Sequence, residues 1–260
     1  MIKDYIFDLY GTLVDIHTDQ NKREVWYTAS LCYLKAGALW RPQKMKQAFY
    51  RFCHEAEQKM ITPEIQFPEI DLADVFRRLY EEAPLRLPRW KNPSADEQWI
   101  AETAALFRKA SREKLFPYRH TVSVLKQLKK QGKGVWLLSN AQTLFTVEEL
   151  KMCGLYDLFD GIYISSEKGI RKPQKQFMER MLREYGIEKD TALMIGNDIR
   201  ADIAIACACG VRSVFLNTDG LSEEQIEKQL KENVHDEAYR PQIVMNGDIS
   251  QLLKQEDTYA

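Results

Sequence analysis

The 260-residue chain has no apolar run approaching the ~18 residues that a membrane-spanning helix needs. Its opening residues, MIKDYIFD, place acids where a secretory leader would be apolar, so the expected location is the cytoplasm, with no membrane partner. It also lacks a charge surplus: 37 Lys+Arg stand against 38 Asp+Glu, a formal net charge of −1. That balance argues against a nucleic-acid binder working by bulk charge. Cysteines are few and odd in number (Cys32, Cys53, Cys153, Cys207 and Cys209), which excludes a disulfide framework and fits reduced, buried thiols. Cys207 and Cys209 form a C-x-C in an Ala-rich run with no other Cys or His cluster nearby, too few ligands for tetrahedral zinc. There is no internal repeat and no low-complexity tract. With 45% apolar and 29% charged residues, what remains is an ordinary globular chain, long enough for one large domain or two smaller ones. Nothing in it speaks to oligomeric state.

Two textures alternate along the chain. Residues 2–7 form a short apolar run ending at Asp8. From about 16 to 115 every periodic signal is helical: Leu72, Val75, Phe76 and Leu79 recur at helical spacing, as do Trp99, Thr103, Leu106 and Ala110, and no strand is evident. A connector rich in Pro and basic residues lies at 84–94. From 117 onward, apolar runs at 135–138, 162–164, 192–195, 213–216 and 243–245 alternate with amphipathic segments at 121–131, 143–152, 174–185, 199–209 and 223–233. That alternation predicts an α/β fold, a Rossmann-like three-layer parallel-sheet core made of residues 1–15 and 116–260, interrupted by an all-helical cap at 16–115.

In an open parallel sheet, ligands bind beyond the carboxyl ends of the strands. The residues following the runs are Asp8 to Thr12, then Ser139 and Asn140, then Ser165 and Ser166 with Lys172 and Pro173, then Gly196, Asn197, Asp198 and, one turn on, Asp202. Singly, each has a structural reading as a turn residue, a helix cap or a solvated charge. In order, the segments DLYGTL (8–13), LLSN (137–140), RKP (171–173) and GNDIRAD (196–202) resemble the haloacid dehalogenase superfamily of aspartate-nucleophile hydrolases, with the helical stretch in the place of that family's cap.

The resemblance implies that Asp8 is the nucleophile and forms a covalent aspartyl intermediate. It implies that Thr12, Ser139 and Asn140 hold the transferring group and that Lys172 neutralises charge. It also implies a Mg²⁺ site drawn from Asp8, Tyr10, Asn197, Asp198 and Asp202. Tyr10 is a departure: the family's phosphatases carry a second Asp there as general acid and base, whereas a tyrosine is similar to the 2-haloacid dehalogenases, whose halide leaving group needs no proton. Acids crowding the pocket favour a metal and a phosphorylated substrate, and Phe177 stands where the dehalogenase pattern has a tyrosine. Arg23 and Arg41 are available as the dehalogenases' substrate-binding arginine, though neither can be assigned to it. A third reading keeps the fold as a phosphate-binding or interaction module.

Specificity is expected from side chains of the helical segment closing over the site. His17 reads as a solvated loop residue, and Trp26, Tyr27, Trp40, Trp90 and Trp99 as packing aromatics. Residues 16–115 hold 17 Lys+Arg against 14 Asp+Glu and the remainder 20 against 24, which suits a small anionic substrate between a mildly basic cover and an acidic floor.

Overall fold

The computed structural model describes residues 1–87 and 96–254. The connector read at 84–94 therefore lies outside the described residues from position 88 on, and Trp90 with it. The first stretch contains β1 (Asp4–Phe7), β2 (Val14–Thr18), α1 (Arg23–Lys35), β3 (Ala38–Leu39), α2 (Pro42–Met60), α3 (Leu72–Glu81) and β4 (Leu85–Arg86). There follow α4 (Glu97–Ser111), β5 (Arg112–Pro117), α5 (Thr121–Lys130), β6 (Gly134–Ser139), α6 (Thr143–Met152), β7 (Gly161–Ile164), α7 (Ser165–Lys168) and α8 (Lys175–Tyr185). The last are β8 (Ala192–Gly196), α9 (Ala204–Cys209), β9 (Arg212–Leu216), α10 (Glu223–Asn233) and β10 (Gln242–Val244). No described helix is long and apolar enough to cross a membrane.

Six strands pair in parallel in the order β10-β9-β8-β1-β6-β7. Their segments are near-continuous apolar runs such as DYIF and ALMIG because a parallel sheet is covered on both faces. Alternation divides them between two layers. Tyr5, Phe7, Leu137 and Leu193 pack with Val124, Leu125 and Leu128 of α5, while Ile6, Leu138 and Met194 pack with Phe177, Met178 and Met181 of α8. This is the three-layer α/β core expected from the alternating pattern. The chain leaves β1 in both directions across the sheet, so the crevice at its carboxyl end is a topological switch point.

Helices α1–α4 form a second core built on aromatic rings. Phe107 is fully buried, with its ring 5.3 Å from Trp26, 5.6 Å from Phe49 and 5.5 Å from Phe76. Trp99 meets Tyr33 and Tyr80 edge-on. Asp71 and Asp96 cap α3 and α4 through the backbone N–H groups of Ala73 and Trp99.

The helical segment also contains strands that periodicity did not reveal. β3 pairs with β4, and β2 pairs antiparallel with β5 as a ribbon through which the chain passes out to the helices and back. Two-residue strands are too short to show alternation. β5, with the sequence REKLFP, is largely exposed and has no apolar face to show. The helix expected at 199–209 instead opens as a π-helical turn, Ile199–Ile203, before α9. Replacing Phe107 by Ala should cost about 3–5 kcal/mol in urea unfolding, as expected for an aromatic removed from a rigid core; a loss below about 1 kcal/mol would show that the four rings do not form one packed unit.

Candidate active site

Strand β1 delivers Asp8 to the crevice, where its backbone N–H still donates to Ile195 O of β8 at 2.9 Å. The chain then turns sharply, with Leu13 and Val14 N–H both donating to Leu9 O. Gly11 makes this turn possible: its φ is +87°, and a Cβ there would collide with the Asn197 amide. Thr12 Oγ1 lies 3.0 Å from Asp8 Oδ2 and 3.1 Å from Asn197 Oδ1, so one hydroxyl ties the first motif to the fourth. The Asn197 amide in turn donates to Asp219 Oδ2 at 3.1 Å.

Lys172 occupies the centre, 3% exposed. Its Nζ donates to Asp8 Oδ1 at 2.7 Å and to Leu138 O at 2.8 Å, and pairs in charge with Asp202 Oδ1 at 2.7 Å. Burial alone would lower its pKa, but the charges of Asp202 and Asp8 outweigh burial and the net shift is upward, so the ammonium stays charged. Burial raises Asp202, Lys172 opposes the rise and Asp8 adds to it, leaving this carboxyl at about 7. Asp202 Oδ2 accepts from Asp198 N–H at 3.0 Å, and its side chain crosses Gly196 so closely that no Cβ could stand there. The π-helical turn is where this carboxylate is placed.

Asp8, Thr12, Lys172, Asn197 and Asp202 are thus brought into one cluster, beside a cavity of about 420 Å³ that Asp198, Arg200 and Asp219 also line. Asn140 and Tyr10 line the same cavity, but the polar groups of several expected residues are engaged elsewhere. The Asn140 side chain is spent on the backbone of Lys172, accepting its N–H at 2.8 Å and donating to its carbonyl at 3.0 Å, so it positions the lysine. Ser139 is buried, and its Oγ has no hydrogen-bond partner among the described residues. Asp198 is exposed at the rim and caps the following turn through Arg200 N–H. His17 faces outward near Glu113, and Arg23 and Arg41 do not line the cavity.

Tyr10 differs most from expectation. Its phenol donates to Glu149, with Thr146 Oγ1 at 3.2 Å, so the hydroxyl is committed to α6. Burial first, and then the Glu149 charge, raise its pKa far above the ordinary tyrosine range, so the phenol stays protonated with its hydrogen given to Glu149. Glu149 is 2% exposed and also receives Arg108 at 2.8 Å and Arg112 at 3.0 Å, from α4 and the return strand β5. Neither Glu149, these arginines nor Asp219 stands out in the sequence, since Glu149 sits beside Glu148 and reads as a solvated helix face; only a buried partner set distinguishes it.

A family model described as haloacid dehalogenase-like hydrolase matches residues 2–210. The chain belongs to this family. Among curated relatives, it is 31% identical over 138 residues to a glyceraldehyde 3-phosphate phosphatase of Methanothermobacter thermautotrophicus, covering 53% of this chain and 58% of that one. It is 30% identical over 153 residues to a phosphoserine phosphatase of Thermus thermophilus, covering 59% and 57%. The chain therefore spans less than two thirds of these relatives. Among solved structures, a 2-haloacid dehalogenase of Pseudomonas syringae aligns over the whole of both chains with a TM-score of 0.61 at 20% identity. L-2-haloacid dehalogenase of Xanthobacter autotrophicus covers 98% of this chain and 100% of its own, with a TM-score of 0.53 at 20% identity. At such identities these two likenesses show a shared fold, the parallel-sheet α/β core, and nothing finer.

Within this member of the family, Glu149→Ala should destabilise the protein by about 3–5 kcal/mol, because Arg108 and Arg112 lose their buried counter-charge. Burial pushes Glu149 upward, but its arginine partners outweigh burial and the net pKa lies below the ordinary 4.5. Its contribution is therefore present above pH 4.5 and lost as pH falls through the lowered value. Denaturant melts of wild type and Glu149→Gln should converge on acidification; a constant gap across that window would contradict the assignment.

Proposed function

We propose that the chain is a Mg²⁺-dependent phosphatase acting on a small phosphomonoester through a covalent intermediate on Asp8. The observation that carries this reading is the charge around the cavity: the carboxylates of Asp8, Asp198 and Asp219, with Asp202 partly protonated at neutral pH, against two cations (Lys172 and Arg200). Each like-charge pair at 4 Å costs about 1 kcal/mol in water and about 4 at an effective dielectric near 20. An anionic substrate needs that excess offset, and a halocarboxylic acid would bring no means of offsetting it.

The donor chemistry fits a hard divalent cation. Asp8 Oδ2 and Asn197 Oδ1 lie within 3.1 Å of the same hydroxyl, and the carboxylates of Asp198 and Asp219 line the same cavity, all of them oxygen donors. Among the described residues no three acidic, His or Cys side chains form a cluster ready for a metal. An amide stands at 197, and both Asp202 oxygens are engaged by Lys172 and Asp198. On this basis Asp8 and Asn197, with Asp198 or Asp219, would hold the ion. Bound there, it would neutralise charge between nucleophile and phosphate.

In the reaction a carboxylate oxygen of Asp8 attacks phosphorus and the ester P–O bond breaks, leaving an aspartyl phosphate that water hydrolyses to inorganic phosphate and free Asp8. Lys172 holds the Asp8 carboxylate against rotation and keeps its repulsion from Asp202 in check. With Tyr10 bound to Glu149, no side chain of the first motif protonates the leaving alkoxide. A positioned acid is worth about 10²–10⁴-fold, so esters with poor leaving groups are turned over slowly.

Purified protein should release phosphate from aryl phosphates only with Mg²⁺. Rates should fall steeply as the leaving group becomes more basic, and Asp8→Asn should lower turnover by about a thousandfold or more. Metal-independent halide release from a 2-halo acid, with no phosphate release, would contradict the proposal.

A further inference from the structure

None of the residues lining the cavity beside Asp8 comes from 16–115. Away from the nucleophile its wall is made of Arg200, Leu221 and Gln229, from the π-helical turn, the β9–α10 loop and α10. That wall is built into the core. Ile226 and Leu230 of α10 are buried against Ile199 and Ile203, which brings the intervening Gln229 to the cavity beside the Arg200 turn. The loop at 217–221 is held at three points. Buried Asn217 bonds Leu221 through both backbone groups and Met245 O, Thr218 Oγ1 donates to Gly11 O at 2.6 Å, and Asp219 accepts from Asn197. The same residues that hold the wall also touch the nucleophile turn.

The cations of this cavity have unequal duties. Lys172 is saturated by Asp8, Asp202 and Leu138 O. Arg200 is exposed, and among the described residues its guanidinium has no ion-pair partner within 4.0 Å. Of the acids that line the cavity, Asp198 Oδ1 accepts the backbone N–H of Arg200 rather than its guanidinium, and Asp219 Oδ2 accepts from the Asn197 amide.

We propose that Arg200, seated on this core wall, is the specificity determinant and binds a second anionic group, a carboxylate or a further phosphate, at the end of the substrate remote from the scissile ester. A guanidinium pairs with either group through two parallel hydrogen bonds, and Gln229 offers an amide beside it. The inference rests on the phosphatase reading for its reaction but concerns binding at a separate part of the cavity.

The test uses full-length protein with Mg²⁺ and size-matched phosphomonoesters ending in a carboxylate, a phosphate or a neutral hydroxyl. KM is measured for wild type, Arg200→Ala and Arg200→Lys. Dissociation constants for the same compounds are measured by calorimetry on Asp8→Asn, with and without Arg200→Ala. The anion-ended compounds should bind about tenfold or more tightly than the neutral one, a preference that Arg200→Ala reduces to within about twofold and Arg200→Lys keeps in part. Turnover with no such preference, or a preference that survives Arg200→Ala, overturns this inference and leaves the phosphatase reading standing. An Arg200-dependent binding preference on Asp8→Asn without phosphate release from the wild type supports the inference and overturns the phosphatase reading.

Discussion

One buried ammonium organises the site. Asp8 follows β1 and Asp202 follows β8, neighbouring strands whose parallel register brings their ends together. Two carboxylates placed so close would repel, and burial would drive protons onto them. Lys172, arriving on the loop after β7, lies 2.7 Å from each and makes the arrangement possible. Asn140 fixes the lysine backbone and Leu138 O accepts a hydrogen bond from its ammonium, so the cation is held from β6 as well. The consequence is that Asp8, the proposed nucleophile, has its position set by the sheet and its charge only partly offset by Lys172.

A second ionic centre joins the helical insertion to the core. Glu149 of α6 gathers Arg108 from the last insertion helix, Arg112 from the returning ribbon and Tyr10 from the nucleophile turn. The residue that the phosphatases' pattern makes an acid has here become part of a joint. Arg108 also lies over the rings of Tyr10 and Phe145, so the joint combines charge with aromatic packing. Chemistry at position 10 is thereby exchanged for attachment. The Tyr10 hydroxyl is committed to Glu149, and the insertion is tied to the turn that carries Asp8.

Much of this was legible in the sequence because strand ends in a parallel sheet announce themselves as polar residues after apolar runs. Asp8, Lys172 and Asp202 were each found that way, and the sheet brings them together. Asn140 and Tyr10 were found by the same signal, but their side chains turn to a backbone segment and to a buried glutamate, and the identity of a residue does not state its direction. Glu149 and Asp219 belong to no pattern, and Arg200, although inside GNDIRAD, is not one of the residues that the pattern singles out. Their meaning arises from distances between elements 22 or more residues apart for two of them, and for Arg200 from what it does not contact. The ribbon of β2 and β5 is hard to read in the sequence because the apolar–polar alternation of β2, Val14 to His17, spans only four residues and β5 is half charged.

The central claim is that Asp8, held by Lys172, becomes covalently phosphorylated. The direct measurement is acid quench of the enzyme during turnover of a radiolabelled phosphomonoester, followed by peptide mapping of acid-stable, hydroxylamine-labile label. The account predicts label on the peptide containing Asp8 in the wild type and none in Asp8→Asn. Phosphate release by the wild type without any covalent label, or label on another residue, would contradict it.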